Sequence, residues 1–325
     1  MQSSPLDLLG SSALGEHLET VGDRLIATCA IGAPDLTTPC LRVVAGGGKR
    51  LRPALTLAVA DVGKTFDPRV VAAAVAVELV QVGSLVHDDI FDNAETRRGT
   101  PTINAVEGQN QALLAGTYLM ARAAAEAATA GQEVASDVAR TVAFLCVGQT
   151  TETQHLFDIG QEIDRYLFTI EAKTAALFAC SCRVGALSAD LPDEHVNRFG
   201  EFGKNFGMAF QLIDDVLDLI GDPDRLGKPV GADMRSGVLT MPTLLELAQP
   251  NGGDLRALLI RRQSADMEQA SRIIVNSGRI DEVIDIARQY AAEASAAIAD
   301  VPNTSNLSKF PISYLDWALE EFVAA

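Results

Sequence analysis

VVAAAVAVELVQVGSLVHDDIFD, residues 70–92, is the stretch of this chain that decides its fold. Alanine and valine dominate its first half, and the apolar residues do not alternate strictly with polar ones, as they would in a half-buried strand. Alanine favours a helix because it loses no side-chain entropy there. Asp67 and Pro68 have the residue types of an N-cap and a first helical position. We therefore predict a long apolar helix that leads into a group of aspartates.

The rest of the chain has the same helical character. Ala121–Ala130 is rich in alanine, and hydrophobic residues make up 48% of the 325 positions, enough for a sizeable core. Gly32–Pro39 is predicted to be a helix connection, and Gly221–Pro242 a long loop of the kind that is usually functional. Neither a low-complexity linker nor a repeat of fixed period is present. The sequence thus predicts a single all-α domain over residues 1–325.

Composition narrows the possible partners and the cellular compartment. The formal net charge of −17 argues against nucleic acid, and most of this acidity serves solubility. Met1–Gly10 lacks the basic and apolar regions of a signal peptide, and Glu78 and Gln81 interrupt the longest apolar run, so we expect no transmembrane segment. We also expect a cytoplasmic protein with buried, reduced thiols at its five cysteines, which are Cys29, Cys40, Cys146, Cys180 and Cys182.

Two acidic triplets of identical spacing are the strongest functional signal. On a helix, residues three and four positions apart share one side, so three unneutralised carboxylates would repel each other. Such hard oxygen ligands suit Mg²⁺, which bridges carboxylates to substrate phosphates. A lone triplet is usually a solvated helix face, but two of them, each attached to an apolar helix, favour metal binding across a shared cavity. The predicted ligands are Asp88, Asp89, Asp92, Asp214, Asp215 and Asp218.

Basic residues near the triplets complete a possible diphosphate site. Lys49, Arg50 and Arg52 follow three glycines, although the spacing is not that of a Walker A loop. Arg97 and Arg98 follow the first triplet and offer planar donor forks for phosphate oxygens. The alternative is that these arginines only offset the acids as surface ion pairs of little energetic value. Taken alone, the other lysines are uninformative.

Together these residues resemble the trans-isoprenyl diphosphate synthases, or polyprenyl synthetases. The resemblance runs from about residue 41 to about residue 245. Its markers are Gly47-Gly48-Lys49-Arg50-Leu51-Arg52-Pro53, Leu85-Val86-His87-Asp88-Asp89-Ile90-Phe91-Asp92, Glu95-Thr96-Arg97-Arg98-Gly99-Thr100-Pro101-Thr102, Gly148-Gln149, Lys173-Thr174, Phe210-Gln211-Leu212-Ile213-Asp214-Asp215-Val216-Leu217-Asp218 and Lys228-Pro229-Val230-Gly231-Ala232-Asp233.

The resemblance implies a helical bundle around a central cavity, usually a homodimer, and a role for each marker. The six aspartates would hold Mg²⁺ on an allylic diphosphate, which would be bound directly by Arg97, Lys173 and Lys228. The diphosphate of isopentenyl diphosphate would be bound by Lys49, Arg52 and Arg98. Gln211 and the backbone near Thr174 would face the developing cation.

Two positions depart from the family pattern. Gln81 stands where many members have a histidine that helps to bind isopentenyl diphosphate; we expect weaker binding rather than none. Val238 stands where most members have a lysine that contacts the allylic diphosphate, which puts the full catalytic rate in doubt.

The residues one turn before the first triplet bear on product length. Ser84 precedes Asp88 by about 6 Å along a helix axis, and Gly83 is its neighbour. Short-chain members of the family tend to carry bulky aromatic residues at these places. Two small residues predict a product longer than geranylgeranyl diphosphate, although Gly83 has the alternative role of allowing close helix packing.

Other functions remain open at this stage. A short-chain geranylgeranyl diphosphate synthase is one alternative. A non-catalytic partner subunit of a heteromeric synthase typically lacks one acidic triplet, whereas both are intact here. A terpene cyclase needs no second diphosphate site, which Lys49, Arg52 and Arg98 argue against.

Overall fold

The computed structural model describes residues 4–10, 13–97, 99–226, 229–250 and 252–323. Helices make up most of these residues, and the strands among them form one short hairpin. This confirms the all-α class. The chain divides into two compact units, so the prediction of one domain stays a prediction. The first unit comprises Met1–Ala143, Leu177–Gly203 and Ala297–Ser308, and the second Phe144–Ala176, Lys204–Ala296 and Lys309–Ala325.

The first ten α-helices, in chain order, are α1 (Leu14–Cys29), α2 (Pro34–Ala45), α3 (Leu51–Val62), α4 (Pro68–Phe91), α5 (Ile103–Glu107), α6 (Gln109–Ala130), α7 (Gln132–Gln154), α8 (Ile163–Ile170), α9 (Ala176–Ser188) and α10 (Asp193–Ile220). They are followed by α11 (Pro223–Leu226), α12 (Ala232–Ser236), α13 (Met241–Leu247), α14 (Gly253–Arg261), α15 (Ser264–Val275), α16 (Arg279–Ala297) and α17 (Phe310–Phe322). The hairpin pairs β1 (Thr96–Arg97) with β2 (Thr100–Pro101). A π-turn, Glu171–Ala175, joins α8 to α9.

Helix α4 is the core of the first unit. It begins as predicted, because the Asp67 side chain accepts hydrogen bonds from the backbone N–H groups of Arg69 and Val70, and Pro68 fills the first helical position. It packs against α1, α3 and α6, and most of its apolar side chains are buried. In the described part of the chain it alone is long and apolar enough to cross a membrane, but most of it is buried inside the protein, as in a core helix.

Helix α2 corrects the prediction of a connection over Gly32–Pro39. The helix starts at Pro34 and continues through Pro39, which cannot donate to the carbonyl of Asp35 four residues earlier. The side chain of Gln111 supplies the missing donor, with Nε2 at 2.6 Å from that carbonyl oxygen. A donor that is distant in sequence thus satisfies the carbonyl group that Pro39 cannot. The local sequence pattern could not reveal this contact.

Four of the five cysteines are buried, and Cys146 is exposed, so the prediction of burial is wrong for Cys146 alone. Burial raises the pKa of the Cys29 thiol to about 11 and that of the Cys182 thiol to about 12. Such thiols are protonated and poorly nucleophilic near neutral pH.

The second unit contains the segment that was predicted to be a long loop. Two short helices, α11 and α12, interrupt it. Its first residues are fastened to the last helix of the chain: the backbone N–H of Asp222 donates to the carbonyl of Phe322 at 2.8 Å, and Arg225 Nη1 donates to the carbonyl of Glu321 at 2.7 Å. An aromatic cluster of Phe206, Phe210, Phe310 and Tyr314 also holds α17 against α10.

Candidate active site

The first acidic triplet lies where α4 ends. Asp88 and Asp89 belong to the last turn, and Asp92 is the C-cap residue. Asp89 is buried, Asp88 is half-buried and Asp92 is exposed. The carbonyl end of a helix carries partial negative charge, so carboxylates are unfavourable there unless a cation joins them. The end of α4 is therefore suited to attract a cation.

Arg97 holds the buried member of this triplet. Its Nε and Nη2 atoms lie 2.8 and 2.7 Å from Asp89 Oδ1. Arg97 lies on β1, and Gly99, with a φ of +73°, helps to turn the chain into β2. Burial raises the pKa of Asp89, and the Arg97 guanidinium opposes that rise. The charge of Asp89 therefore depends on the hairpin that follows α4.

Arg50, in the glycine-rich basic stretch, serves the fold. Its backbone is left-handed, with a φ of +49°, and its side chain pairs with the buried carboxylate of Glu78. Its Nη2 atom also donates to the carbonyl of Val44 at 2.6 Å. This agrees with the resemblance, which gave diphosphate roles to Lys49 and Arg52 and none to Arg50.

A cleft in the first unit is lined in part by the glycines that precede the other basic residues of this stretch. Lys49 is exposed, and Arg52 is half-buried with its guanidinium carbon 4.2 Å from the ring centroid of Phe178. The residues lining the cleft include Gly46, Gly47, Val82, Val86, Asp89 and Arg97. The glycine loop before Lys49 and the end of α4 thus border one opening.

The second triplet lies in the last two turns of α10, again at a carbonyl end. Asp214 is half-buried, whereas Asp215 and Asp218 are each 2% exposed. The next loop is tied to this helix, because Gly231 N donates to the carbonyl of Asp218 at 2.7 Å and Asp233 N donates to its Oδ2 at 3.3 Å. Despite identical spacing, this triplet is more enclosed than the first.

A chain of hydrogen bonds leads from the π-turn to the middle aspartate of this triplet. Thr174 Oγ1 donates to Gln211 Oε1 at 2.8 Å, and Gln211 Nε2 donates to Asp215 Oδ1 at 2.9 Å. The Tyr166 hydroxyl donates to Asp215 Oδ2. Burial and the charge of Asp233 raise the pKa of Asp215 well above its usual range, while the hydrogen bonds from Tyr166 and Gln211 oppose this rise.

The π-turn also positions Lys173. Its Nζ atom lies 2.5 Å from Glu152 Oε1 on α7. A Cβ atom at Gly148 would lie 2.8 Å from the backbone nitrogen of Lys173, so only glycine lets α7 approach the turn this closely. Single π-turns within helices occur frequently at functional sites. Lys173 and Thr174, paired in the sequence prediction, thus share one irregular turn of the second unit.

The small residues of α4 differ in what they face. A Cβ atom at buried Gly83 would lie 3.2 Å from the carbonyl oxygen of Gly116 and 3.3 Å from Leu119 Cβ on α6, which favours its alternative role in helix packing. Ser84 is half-buried, and its hydroxyl donates to the carbonyl of Gln81 at 2.9 Å. The chain-length roles of Gly83 and Ser84, and the substrate role of Gln81, stay predictions.

Two of the predicted diphosphate ligands, Arg98 and Lys228, lie outside the described residues. Asp88 belongs to the first unit and Asp214 to the second. The prediction that their triplets face each other across one cavity stays a prediction.

Residues 33–276 match the family model of the polyprenyl synthetases, which is well over half of the chain. The chain belongs to the polyprenyl synthetase family. It is 37% identical over 268 residues to the nonaprenyl diphosphate synthase of Mycobacterium tuberculosis, covering 81% of this chain and 80% of the relative. It is 38% identical over 238 residues to component 2 of the heptaprenyl diphosphate synthase of Geobacillus stearothermophilus, covering 73% and 74%.

A solved structure agrees with this assignment. The polyprenyl synthase of Caulobacter crescentus, complexed with calcium and isoprenyl diphosphate, matches with a TM-score of 0.89 and 32% identity over 98% of each chain. This polyprenyl synthetase is a prenyltransferase.

The carboxylates of this polyprenyl synthetase fit a hard divalent cation. Among the described residues, no three His, Cys, Asp or Glu side chains already converge on one point where they could hold a metal ion. Mg²⁺ does not require such a cage, because it keeps several waters and takes one or two carboxylates together with substrate phosphates. Carboxylates that repel each other are not expected to converge before the cation and the diphosphate arrive.

Sequence reasoning missed three residues that pair with motif residues of this polyprenyl synthetase. Glu78 pairs with Arg50, Glu152 with Lys173, and Tyr166 with the second triplet. A signal existed for Glu78, because a lone carboxylate within an apolar helix needs a buried partner. Nothing in the local sequence marks Glu152 or Tyr166 as a partner of the site.

Proposed function

We propose that this enzyme is a Mg²⁺-dependent trans-polyprenyl diphosphate synthase. It condenses an allylic primer, such as farnesyl or geranylgeranyl diphosphate, with isopentenyl diphosphate, head to tail. The observation that carries this proposal is the pair of aspartate triplets, each at the carbonyl end of a helix and each with its buried middle carboxylate held by hydrogen bonds. Helix ends of this kind stabilise cations and otherwise repel acids.

The basic side chains form two groups, one for the diphosphate of each substrate. Lys49, Arg52 and Arg98 bind that of isopentenyl diphosphate, and Arg97, Lys173 and Lys228 bind that of the primer. Donors aimed at the departing diphosphate stabilise the charge that develops there. Gln211 and the backbone near Thr174 face the allylic carbocation.

Magnesium is the proposed cofactor of both triplets. When bound, it neutralises charge on the departing diphosphate and orients it. Asp88, Asp92 and Asp214 are the least buried carboxylates and the most accessible ligands; Asp89, Asp215 and Asp218 complete the set. The calcium in the C. crescentus relative supports divalent cation binding in this fold.

We propose a product longer than geranylgeranyl diphosphate. Ser84 is small and half-buried one turn before Asp88, which leaves room for a growing chain. The two relatives described above are named for nonaprenyl and heptaprenyl products. A geranylgeranyl diphosphate synthase is the alternative, and product length distinguishes the two.

We further propose a cytoplasmic homodimer. The five cysteines form no disulfide bond, which suits a reducing compartment. Leu113 and Leu114 of α6 are more than half exposed, which supports a subunit contact in the first unit. Because one relative is a synthase component, a heteromeric partner is the alternative. Light scattering of the purified chain measures the assembly.

The test is to incubate the purified chain with Mg²⁺, farnesyl diphosphate and labelled isopentenyl diphosphate. We expect labelled polyprenyl diphosphates that elute later than geranylgeranyl diphosphate, and no labelled product when a chelator is added. No reaction from a folded chain would indicate a partner subunit, and a cyclised hydrocarbon would indicate a cyclase; either result would contradict the proposal.

A matched pair of variants tests the triplet itself. Asp92→Asn removes an exposed carboxylate at the end of α4, and Asp61→Asn removes an exposed carboxylate of α3. Both changes remove one negative charge from the chain. We expect Asp92→Asn to raise the Mg²⁺ concentration needed for half-maximal turnover about tenfold or more, and Asp61→Asn to leave it unchanged.

A further inference from the structure

Tyr166 has an environment that its part in the fold does not explain. It lies on α8, is 3% exposed, and donates its hydroxyl proton to Asp215 Oδ2. Most buried side-chain hydrogen bonds go to backbone or water. Here the acceptor is instead a carboxylate of the second acidic triplet.

The direction of this hydrogen bond follows from the two groups that form it. An ionised carboxylate can only accept, so the hydroxyl of Tyr166 donates to Asp215 Oδ2. Tyr166 is thus the donor of this pair.

Asp215 connects Tyr166 to Gln211. One carboxylate oxygen accepts from Tyr166, and the other accepts from Gln211 Nε2. With its NH₂ group on Asp215, Gln211 turns Oε1 towards the hydroxyl of Thr174. Four side chains on α8, the π-turn and α10 therefore form one connected chain in the second unit.

We propose that Tyr166 is a positioning residue of the prenyl transfer reaction: through Asp215 it holds the metal-binding end of α10 and the amide of Gln211. This inference rests on the proposed function, because it gives the second triplet its role in binding Mg²⁺ and the allylic diphosphate.

The physical reason lies in what the hydroxyl prevents. Without it, one carboxylate oxygen of Asp215, a residue that is 2% exposed, loses its donor, and a buried acceptor without a partner is costly. We then expect the Asp215 carboxylate to rotate, or to compete with the neighbouring aspartates for the cation. We also expect Gln211 to lose its fixed orientation. Loss of such supporting groups typically lowers metal affinity or activity about 10- to 100-fold.

Tyr166→Phe tests the inference, because it removes the hydroxyl and keeps the ring. We expect the half-saturating Mg²⁺ concentration and the KM for farnesyl diphosphate to rise about tenfold or more, the KM for isopentenyl diphosphate to stay within about twofold of wild type, and excess Mg²⁺ to restore most of kcat. Tyr118→Phe is the matched control: its hydroxyl donates to the carbonyl of Ile31 in the first unit, and its loss leaves all four quantities unchanged.

A second comparison separates positioning from general stability. If Tyr166 acts through Asp215, Tyr166→Phe adds little to the Mg²⁺ requirement of the Asp215→Asn variant, because the two changes are coupled. Fully additive effects, or a Tyr166→Phe variant that loses thermal stability but keeps its Mg²⁺ dependence, would overturn the inference. Inactive wild-type enzyme would instead count against the proposed function.

Discussion

At the scale of single residues, the two triplets share a spacing but not an environment. The middle aspartate is buried in both. Asp89 is held by the cation of Arg97, whereas Asp215 is held by two neutral donors, Tyr166 and Gln211. In the first triplet, the charge of the buried carboxylate is therefore balanced by Arg97, which also has a predicted role in binding the primer diphosphate. In the second triplet, the partners of the buried carboxylate are neutral.

We predict that Arg97→Met lowers the stability of the protein as well as its enzymatic activity. The change leaves the buried Asp89 carboxylate without its cation, at a cost of about 1–3 kcal/mol in the free energy of unfolding. Arg69→Met is the control, because Arg69 pairs with exposed Asp190 at the surface, where such a pair contributes little to stability. Urea denaturation measures both; equal losses would contradict the reasoning.

At the scale of elements, the ends and breaks of helices carry the chemistry. Helix α4 is apolar over most of its length and carries its aspartates where it ends, and the helix between α8 and α9 becomes irregular where Lys173 lies. The sequence could place the first of these features, because its pattern is local. It could not place the π-turn, because this depends on contact with α7 through Gly148.

Gly148→Ala is expected to reduce turnover by pushing α7 away from the π-turn. The added methyl group would overlap the backbone of Lys173, and overpacking of this kind costs about 1–3 kcal/mol. Gly22→Ala in α1 is the matched change, because nothing lies within 4 Å of its new methyl group, and it should stabilise by up to about 1 kcal/mol. Thermal melts and kcat distinguish the two; unaltered kcat in Gly148→Ala would count against it.

Ser84→Phe is expected to shorten the product. A phenyl ring one turn before Asp88 would occupy space that a growing prenyl chain needs, while Ser84→Ala keeps that space open. Chromatography of the extracted products after exhaustive reaction measures chain length. A phenylalanine variant with the wild-type product distribution would remove Ser84 from the explanation of product length.

At the scale of the whole molecule, the sequence predicted the class of fold from its local pattern and the family from the motifs that resemble it. It did not predict that Pro39 lies within a helix, because the satisfying donor, Gln111, is distant in the chain. It likewise missed the partners of Arg50 and Lys173, which tertiary packing brings together.

The net charge of −17 gives a prediction for the entire chain. Self-repulsion at low salt should lower the melting temperature, and screening should raise it as the Debye length falls from about 30 Å at 0.01 M to about 8 Å at 0.15 M ionic strength. Scanning calorimetry in sodium chloride measures the change. Choline chloride at equal ionic strength should act similarly; a rise in sodium alone would indicate specific cation binding instead of screening.

The fastening of the segment after α10 to α17 has a practical consequence for recombinant work. Asp222 and Arg225 are held by backbone carbonyls of Phe322 and Glu321, only a few positions from the second acidic triplet. A purification tag fused after Ala325, two positions beyond Val323, is expected to disturb this junction and to depress specific activity with every assigned ligand intact. Tags are better placed at the opposite terminus or removed by protease before kinetics are measured.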